Sequence, residues 1–260
     1  MNQDQASRTD KGRMLSEEEW REYQEVKSAT WGHVAPFVFW LACMFLVGQF
    51  ALEDDSSLRA WVYAVQTAGG AALLFYFRPW RWYSPLQIRN IPFALVMGVA
   101  VFVIWVLPET DWVGARSPGF RQFYLQWFVL PPWEVAEVSE SSPFSPAVAG
   151  WSLAIIRLIG SAFVIAVIEE FFWRGWLYRW LLGRNFLKVD MGTWHTGMFI
   201  AVSAVFASAH LQWGVGFIAG IAYLWMMIRT RDLWSVALAH VVTNFLLGVY
   251  VLVYDKYEFW

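Results

Sequence analysis

The chain of 260 residues is poor in charge, since Asp, Glu, Lys and Arg make up only 15% of it, against about 25% in ordinary soluble domains. Its formal net charge of −2 gives no basis for nucleic-acid binding, and we predict no nucleic-acid partner. The single cysteine, Cys43, excludes an intrachain disulfide and a multi-cysteine metal site. A glycine-rich phosphate-binding loop and a His-Glu-x-x-His motif are also absent. Residues 1–30 are hydrophilic, so we predict no cleavable signal peptide.

Hydrophobic residues, by contrast, make up 58% of the chain, and they fall in uncharged runs long enough to cross a bilayer. Many of the 19 Trp residues stand at the ends of these runs, where indole rings favour the headgroup level. We therefore predict an all-α fold, a polytopic transmembrane helix bundle of seven to eight spans. The seven predicted spans are Val34–Leu52, Leu58–Phe77, Ile91–Leu107, Trp151–Ile168, Trp194–His210, Gly214–Ile228 and Leu233–Tyr254. Phe120–Trp133, broken by two prolines, is predicted to lie in the interface, with an eighth span as the alternative.

The chain before the first span has a helix-start pattern. Ser16 and Glu19 match a capping box, and Leu15 and Trp20 are placed as a hydrophobic staple. This pattern predicts a short amphipathic helix from about Ser16 to Val26, at the cytoplasmic surface.

Basic residues in the short connections predict the orientation. Arginines and lysines follow the second, fourth and sixth spans, whereas three acidic residues follow the first. Since cytoplasmic loops carry the excess of basic residues, we expect a cytoplasmic N-terminus and an outside C-terminus. Pro108–Val148 then forms a long outside connection. The predicted location is a multi-pass position in a membrane, the bacterial inner (plasma) membrane.

Polar chemistry is concentrated after residue 150. We divide the chain into a cytoplasmic N-terminal segment (1–33), scaffold spans with the long loop (34–149) and a functional core (150–254). The scaffold spans hold almost no ionisable side chains in their interiors. We therefore expect the chemistry of the protein to come from the last part of the chain.

Two adjacent carboxylates end the fourth apolar run. Glu170 and Arg174 are four residues apart on a helix, so their side chains can pair. Glu169 points about 100° away from that face and lacks this partner. A carboxylate in a low-dielectric site can act as a base near neutrality. Two interface-facing acids beside a cytoplasmic arginine are the structural alternative, but ionisable residues inside a membrane favour function.

Two further pairs lie on later spans. Phe206 and His210 are four residues apart, as are His240 and Asn244. Each pair has a structural alternative, such as an interhelical hydrogen bond. If segments four and five form a hairpin that turns near Val189 and Asp190, Glu169 and His210 lie at similar depth. His240 matches that depth less well, so a bend or unwinding is expected if it joins them. Gly216 and Gly220 predict close packing of the sixth span on a neighbour.

These residues also carry a family resemblance. Glu-Glu-x-x-x-Arg at 169–174, Phe-x-x-x-His at 206–210 and His-x-x-x-Asn at 240–244 occur in that order on successive apolar segments. The pattern resembles the CPBP family of intramembrane proteases (CAAX protease and bacteriocin-processing, or Abi). It is similar to the type II CAAX prenyl endopeptidase, the Ras-converting enzyme. The resemblance covers about residues 150–250.

The resemblance implies an intramembrane endopeptidase with a role for each residue. Glu169 and His210 would position and deprotonate the attacking water, and His240 and Asn244 would hold the oxyanion. Glu170 and Arg174 would support the site, and Phe206 would pack. The implied partners are membrane lipids and a membrane-anchored or lipidated protein or peptide substrate.

Three alternatives stay open at this stage. We predict no cofactor, but Glu169, His210 and His240 would make a three-ligand site for a divalent metal such as zinc. A proton-coupled transporter would also use buried Glu and His, but the first three spans offer it no polar path. A non-catalytic immunity or scaffold membrane protein of the same family is the third.

Overall fold

The computed structural model describes residues 9–10, 13–49, 56–129 and 142–260. One short antiparallel pair, β1 (Thr9–Asp10) with β2 (Arg13–Met14), precedes the helices. The helices are α1 (Glu17–Gln49), α2 (Ser56–Phe77), α3 (Ile91–Val106), α4 (Asp111–Arg116), α5 (Pro118–Phe128), α6 (Pro146–Ile159), α7 (Ala166–Glu170), α8 (Tyr178–Leu182), α9 (Thr196–Ser208), α10 (Trp213–Thr230) and α11 (Leu233–Tyr254). Short 3₁₀ turns lie at Pro79–Trp82, Ile88–Asn90, Leu107–Glu109, Phe186–Lys188 and Tyr257–Phe259. The predicted all-α fold, a polytopic helix bundle, is confirmed.

Six helical stretches of the described residues are long and apolar enough to cross a membrane. They are Glu17–Val47, Leu58–Trp82, Ile88–Glu109, Pro146–Leu182, Trp213–Thr230 and Leu233–Tyr254. Together with the family resemblance they make this an integral membrane protein. Each contains or overlaps one of the predicted spans.

The fifth predicted span, Trp194–His210, is shorter than expected. It forms only α9, a helix of 13 residues, which is too short to be counted with the six. The helix starts late because the His195 Nδ1 atom caps it, accepting a hydrogen bond of 3.2 Å from the Met198 amide. The predicted interface stretch Phe120–Trp133 forms α5, of 11 residues, and its residues 130–133 lie outside the described part.

The predicted short helix near the N-terminus begins where the capping box predicts but ends later than predicted. The capping box is present, because the Ser16 amide donates to Glu19 at 2.8 Å and the Glu19 amide donates to the Ser16 hydroxyl at 3.2 Å. The helix does not stop at Val26 but runs on to Gln49 as α1, with Pro36 inside it. The predicted short helix and the first predicted span are therefore parts of one continuous helix.

The fourth span is the longest and the least regular. It runs through α6, α7 and α8, and the two joints between them, Gly160–Ile165 and Phe171–Leu177, are π-helical. Near its start the backbone leaves helical geometry at Gly150, where φ is 78°. Single π-helical turns are frequent at functional sites, and here they flank the two adjacent glutamates on both sides.

Glycines let neighbouring helices approach this region closely. A Cβ atom at Gly220 of α10 would lie 3.0 Å from the Ser203 carbonyl of α9, and one at Gly216 would lie 3.4 Å from the Ala207 Cα atom. The predicted close packing of this span on a neighbour is therefore present. A Cβ atom at Gly98 of α3 would lie 2.5 Å from the Ala239 carbonyl of α11. These approaches bring α10 against α9 and α3 against α11.

Candidate active site

A fully buried ion pair lies at the centre of the bundle. Arg174 Nη1 donates to Glu170 Oε1 at 3.0 Å, and the two side chains are 1% and 0% exposed. Arg174 Nη2 donates to the Gly220 carbonyl at 3.4 Å, and its guanidinium lies 4.4 Å from the centre of the Phe206 ring. The pairing of Glu170 with Arg174 that the helical spacing predicts is thus present.

His240 of α11 joins this pair. Its Nδ1 atom lies 2.8 Å from Glu170 Oε1, the same oxygen that accepts from Arg174. A carboxylate oxygen held by a guanidinium acts as an acceptor, so the Nδ1 atom of His240 carries the proton and donates. In neutral imidazole the other ring nitrogen then holds a lone pair. Glu170 therefore fixes which nitrogen of His240 can act as a base.

That second nitrogen faces the neighbouring glutamate. His240 Nε2 lies 3.8 Å from Glu169 Oε2, and the Glu169 side chain is 13% exposed. The separation exceeds hydrogen-bond length, but one water at about 2.8 Å from each atom fits the gap. Glu169 has no other hydrogen bond or ion pair within the described residues. The lone pair of His240 and the carboxylate of Glu169 therefore converge on one small volume.

The ring of His240 is held in place from the side by α10. Tyr223 stacks on it, with ring centres 4.9 Å apart and an interplanar angle of 28°. The Tyr223 hydroxyl donates to Thr243 Oγ1 at 2.7 Å, and Thr243 in turn donates to the Gly98 carbonyl at 2.8 Å. This series of contacts links the imidazole to α3, in the part of the chain predicted to be scaffold.

His210 lies just beyond the end of α9, next to the cluster. Its Nδ1 atom donates to the Phe206 carbonyl at 2.9 Å, so its Nε2 atom also carries a lone pair when the ring is neutral. The Phe206 ring contacts both imidazoles, with centres 4.7 Å from His210 and 6.1 Å from His240. Trp105 covers His210 edge-on at 5.4 Å. In the described structure no hydrogen bond or ion pair joins His210 to Glu169.

Asn244 lies one turn after His240 on α11. Its Nδ2 atom donates to the Ser161 carbonyl at 2.9 Å, in the first π-helical joint of the fourth span. A primary amide has two N–H donors, so one remains for another acceptor. The π-helical geometry matters here because it leaves backbone carbonyls out of the regular i to i−4 ladder.

The three candidate metal ligands are not arranged as a metal site. Within the described residues no group of three His, Cys, Asp or Glu side chains is close enough together to hold a metal ion. Glu169 and His240 lie side by side, but His210 makes no contact with Glu169 that would complete the set. The donor set as placed therefore does not fit zinc, which needs three or four close ligands.

The structure adds detail to several expectations of the sequence. The depth argument predicts a bend or unwinding if His240 joins the cluster; the distortion lies in the two π-helical joints of the fourth span, and α11 is regular. The resemblance implies that His240 donates to the oxyanion, and this role stays a prediction; in a neutral ring whose Nδ1 atom donates to Glu170, the Nε2 atom can donate only after it gains a proton. Three supporting residues, Tyr223, Thr243 and Ser161, were missed. Their contacts join separate helices and leave no pattern in the sequence, although a glycine within an apolar run, such as Gly98, is a signal of close helix packing.

The comparisons with known proteins agree with the motifs. Residues 150–246 match the model of the family described as type II CAAX prenyl endopeptidase Rce1-like. The matched range contains every one of the candidate site residues, and residues 1–149 lie outside it. No curated protein and no solved structure matches the chain.

Proposed function

We propose that this chain is a CAAX protease-related intramembrane endopeptidase that hydrolyses a peptide bond near a membrane face, because residues 150–246 match the family model described as type II CAAX prenyl endopeptidase Rce1-like. The observation that carries the proposal is the 3.8 Å separation of Glu169 Oε2 and His240 Nε2. General-base hydrolysis requires a proton acceptor that positions a water, and these two acceptors can share one water that is shielded from bulk solvent.

The attacking water is the first reactant to be positioned. Glu169 and His240 Nε2 accept its two hydrogen bonds, which directs an oxygen lone pair toward the substrate. One of these two groups takes a proton as the oxygen attacks the carbonyl carbon. The carbonyl π electrons move onto its oxygen, and a tetrahedral oxyanion forms. His210, whose Nε2 atom also holds a lone pair when the ring is neutral, is linked to His240 through the Phe206 ring.

The oxyanion needs hydrogen-bond donors aimed at it. Asn244 has one N–H left after its bond to Ser161. His240 becomes a donor only after its Nε2 atom has gained a proton, when the buried Glu170 stabilises the imidazolium. The same proton can then pass to the leaving nitrogen as the C–N bond breaks. A carboxylic acid and an amine leave, and both bases return to their starting state.

The substrate class follows from where the site lies. The site is enclosed by membrane-spanning helices, so a substrate must enter from the lipid or from a membrane face. A membrane-anchored or lipidated protein or peptide meets that requirement; a C-terminal sorting tail and a bacteriocin-like peptide are members of this class. We place the protein in the bacterial inner membrane with its N-terminus in the cytoplasm, as the basic residues of its connections indicate.

The test is turnover by the purified protein in liposomes with a set of acylated peptides. Glu169→Gln keeps the shape of the side chain and removes the base, so we expect turnover to fall at least about 10²-fold with an unchanged thermal unfolding curve. Glu18→Gln, at an exposed site on α1, is the matched control and should cleave like the wild type. Equal turnover of the Glu169→Gln variant would rule out Glu169 as the base, whereas no turnover of any of these peptides by the wild type would favour a non-catalytic membrane protein.

A further inference from the structure

One arginine of the fourth span lies away from the catalytic cluster and has no acidic partner. Arg157 lies on α6, more than three helical turns before Glu169, which is roughly 18 Å of helix. Within the described residues it forms no ion pair, and its Nε atom is buried without a hydrogen-bond partner. Ionisable residues inside membrane spans pair with one another or mark a functional site. The positive charge of Arg157 therefore has no counter-charge among the described residues, and a ligand can supply one.

Aromatic rings surround the guanidinium of Arg157, and we call this arrangement the aromatic corner. The Arg157 Cζ atom lies 4.2 Å from the centre of the Tyr63 ring and 4.6 Å from that of Phe144. The two rings are edge to face, with centres 5.7 Å apart and an interplanar angle of 70°, and the Trp260 ring lies 6.0 Å away. Cation–π contacts of this kind fix the position of a guanidinium. A guanidinium carries five N–H donors, and the part-exposed side chain of Arg157 leaves donors for an anion.

The aromatic corner is a packed feature of the fold and does not depend on a flexible side chain. The backbone leaves helical geometry at Gly150, between Phe144 and Arg157, which lets Phe144 lie back against the guanidinium. Tyr63 is only 6% exposed. A Cβ atom at Gly160, on the next helical turn, would collide with side chains of α2, so α2 and the fourth span are in tight contact there. Arg157 itself is only half-buried.

Arg157 points into the bundle and not toward lipid. Trp151, Ile155 and Ile159 form the lipid-facing ridge of α6, with exposed fractions of 63%, 46% and 45%. Arg157 is two residues from both isoleucines, which is about 200° around the helix. It shares its face with Ser161, the residue whose carbonyl accepts from an active-site amide. Arg157 therefore lies on the face of α6 opposite its two exposed isoleucines.

We propose that Arg157 binds a carboxylate of the peptide substrate, five to six residues from the bond that is cleaved. The proposal rests on the endopeptidase function proposed above. Guanidinium groups recognise carboxylates through paired, charge-assisted hydrogen bonds. The distance follows from the roughly 18 Å between Arg157 and Glu169, since an extended peptide covers about 3.3–3.6 Å per residue. A free C-terminus and an acidic side chain share this chemistry.

The first experiment compares two forms of each acylated peptide, a free acid and a C-terminal amide. Binding is measured in the Glu169→Gln background, so that it does not depend on turnover. We expect the acid to bind at least about 10-fold more tightly than the amide, because hydrogen bonds between charged groups are about twice as strong as neutral ones. A peptide amide with an internal glutamate at the same distance should recover the affinity, and its glutamine form should not. Equal binding of acid and amide overturns the proposal.

The second experiment adds variants and cleavage. Arg157→Gln should reduce the acid-to-amide affinity ratio to about 1 if the guanidinium supplies the charge-assisted bonds, and Arg157→Lys, which keeps the charge, should retain part of it. Arg184→Gln is the matched control, because Arg184 also lies over an indole ring, that of Trp180, at 4.2 Å. An unchanged ratio in a folded Arg157→Gln protein contradicts the assignment. Where cleavage occurs, product masses locate the bond, and a cut two or three residues from the carboxylate contradicts the spacing. Loss of cleavage with preserved acid-dependent binding would count against the hydrolase function and leave this site standing.

Discussion

Glu170 and His240, on α7 and α11, share a hydrogen bond of 2.8 Å, and through it the second of the two adjacent glutamates governs the chemistry of the first. When the His240 ring is neutral, this bond places its proton on Nδ1 and directs the lone pair of Nε2 toward Glu169. The two glutamates therefore have different tasks although they are neighbours in the sequence. Glu170 orients and stabilises His240, and Glu169 accepts a hydrogen bond from the attacking water in the proposed mechanism.

His240 should matter for turnover more than for folding. His240→Ala removes one of the two acceptors for the water, and we expect turnover to fall about 10²–10⁴-fold, the range for loss of a general base. Peptide hydrolysis in liposomes measures it. His195→Ala, at the exposed start of α9, is the control and should leave turnover within a few-fold of wild type. A His240→Ala protein that cleaves at the wild-type rate would show that the water is not held there.

Arg174 should matter first for stability. Arg174→Ala leaves the fully buried carboxylate of Glu170 without its cation, and breaking a buried pair from one side costs about 3–5 kcal/mol. We expect a lower yield and a lower unfolding temperature in detergent. Arg184→Ala removes an exposed arginine that follows the same span and should change neither. A well-expressed Arg174→Ala protein with normal unfolding and full activity would contradict the role of the pair.

Tyr223 offers a way to separate the ring from the hydroxyl. Tyr223→Phe keeps the stack on His240 and removes the hydrogen bond to Thr243, so we expect a loss of about 1 kcal/mol in stability and little change in turnover. Tyr223→Leu also removes the flat surface under the imidazole and should lower turnover further. The comparison needs unfolding curves and kcat for both variants. Equal turnover in the two would mean that the ring does not position His240.

Gly98 tests whether the first half of the chain supports the site. Gly98→Ala would place a Cβ atom 2.5 Å from the Ala239 carbonyl and 2.7 Å from the Val242 Cβ atom, so α3 must move away from α11. We expect destabilisation of about 1–3 kcal/mol, as for other overpacked sites, together with slower turnover. At Gly119 nothing lies within 4 Å of an added Cβ atom, so Gly119→Ala is the control. Matching unfolding temperatures for the two variants would rule out the tight contact.

The fold class could be predicted because apolar runs and membrane thickness leave few other choices. The Glu170–Arg174 pair could also be predicted, since that contact is set within one helix by a spacing of four residues. The bridging of both glutamates by His240 could not, because it depends on how α11 crosses the fourth span. The tautomer of a neutral His240 ring follows only from that crossing. The length of α9 was missed because composition cannot show that His195 caps the helix.

The approach of α3 to α11 at Gly98 also bears on modularity. The segment that carries the recognisable motifs, residues 150–246, takes a hydrogen-bond acceptor for Thr243 from outside itself, the carbonyl of Gly98. A chimera that grafts this segment onto the leading helices of another protein would work only if the host supplied a glycine-sized opening at the same depth. The two halves of this chain are therefore complementary in shape, and neither can be transferred to another protein without its counterpart.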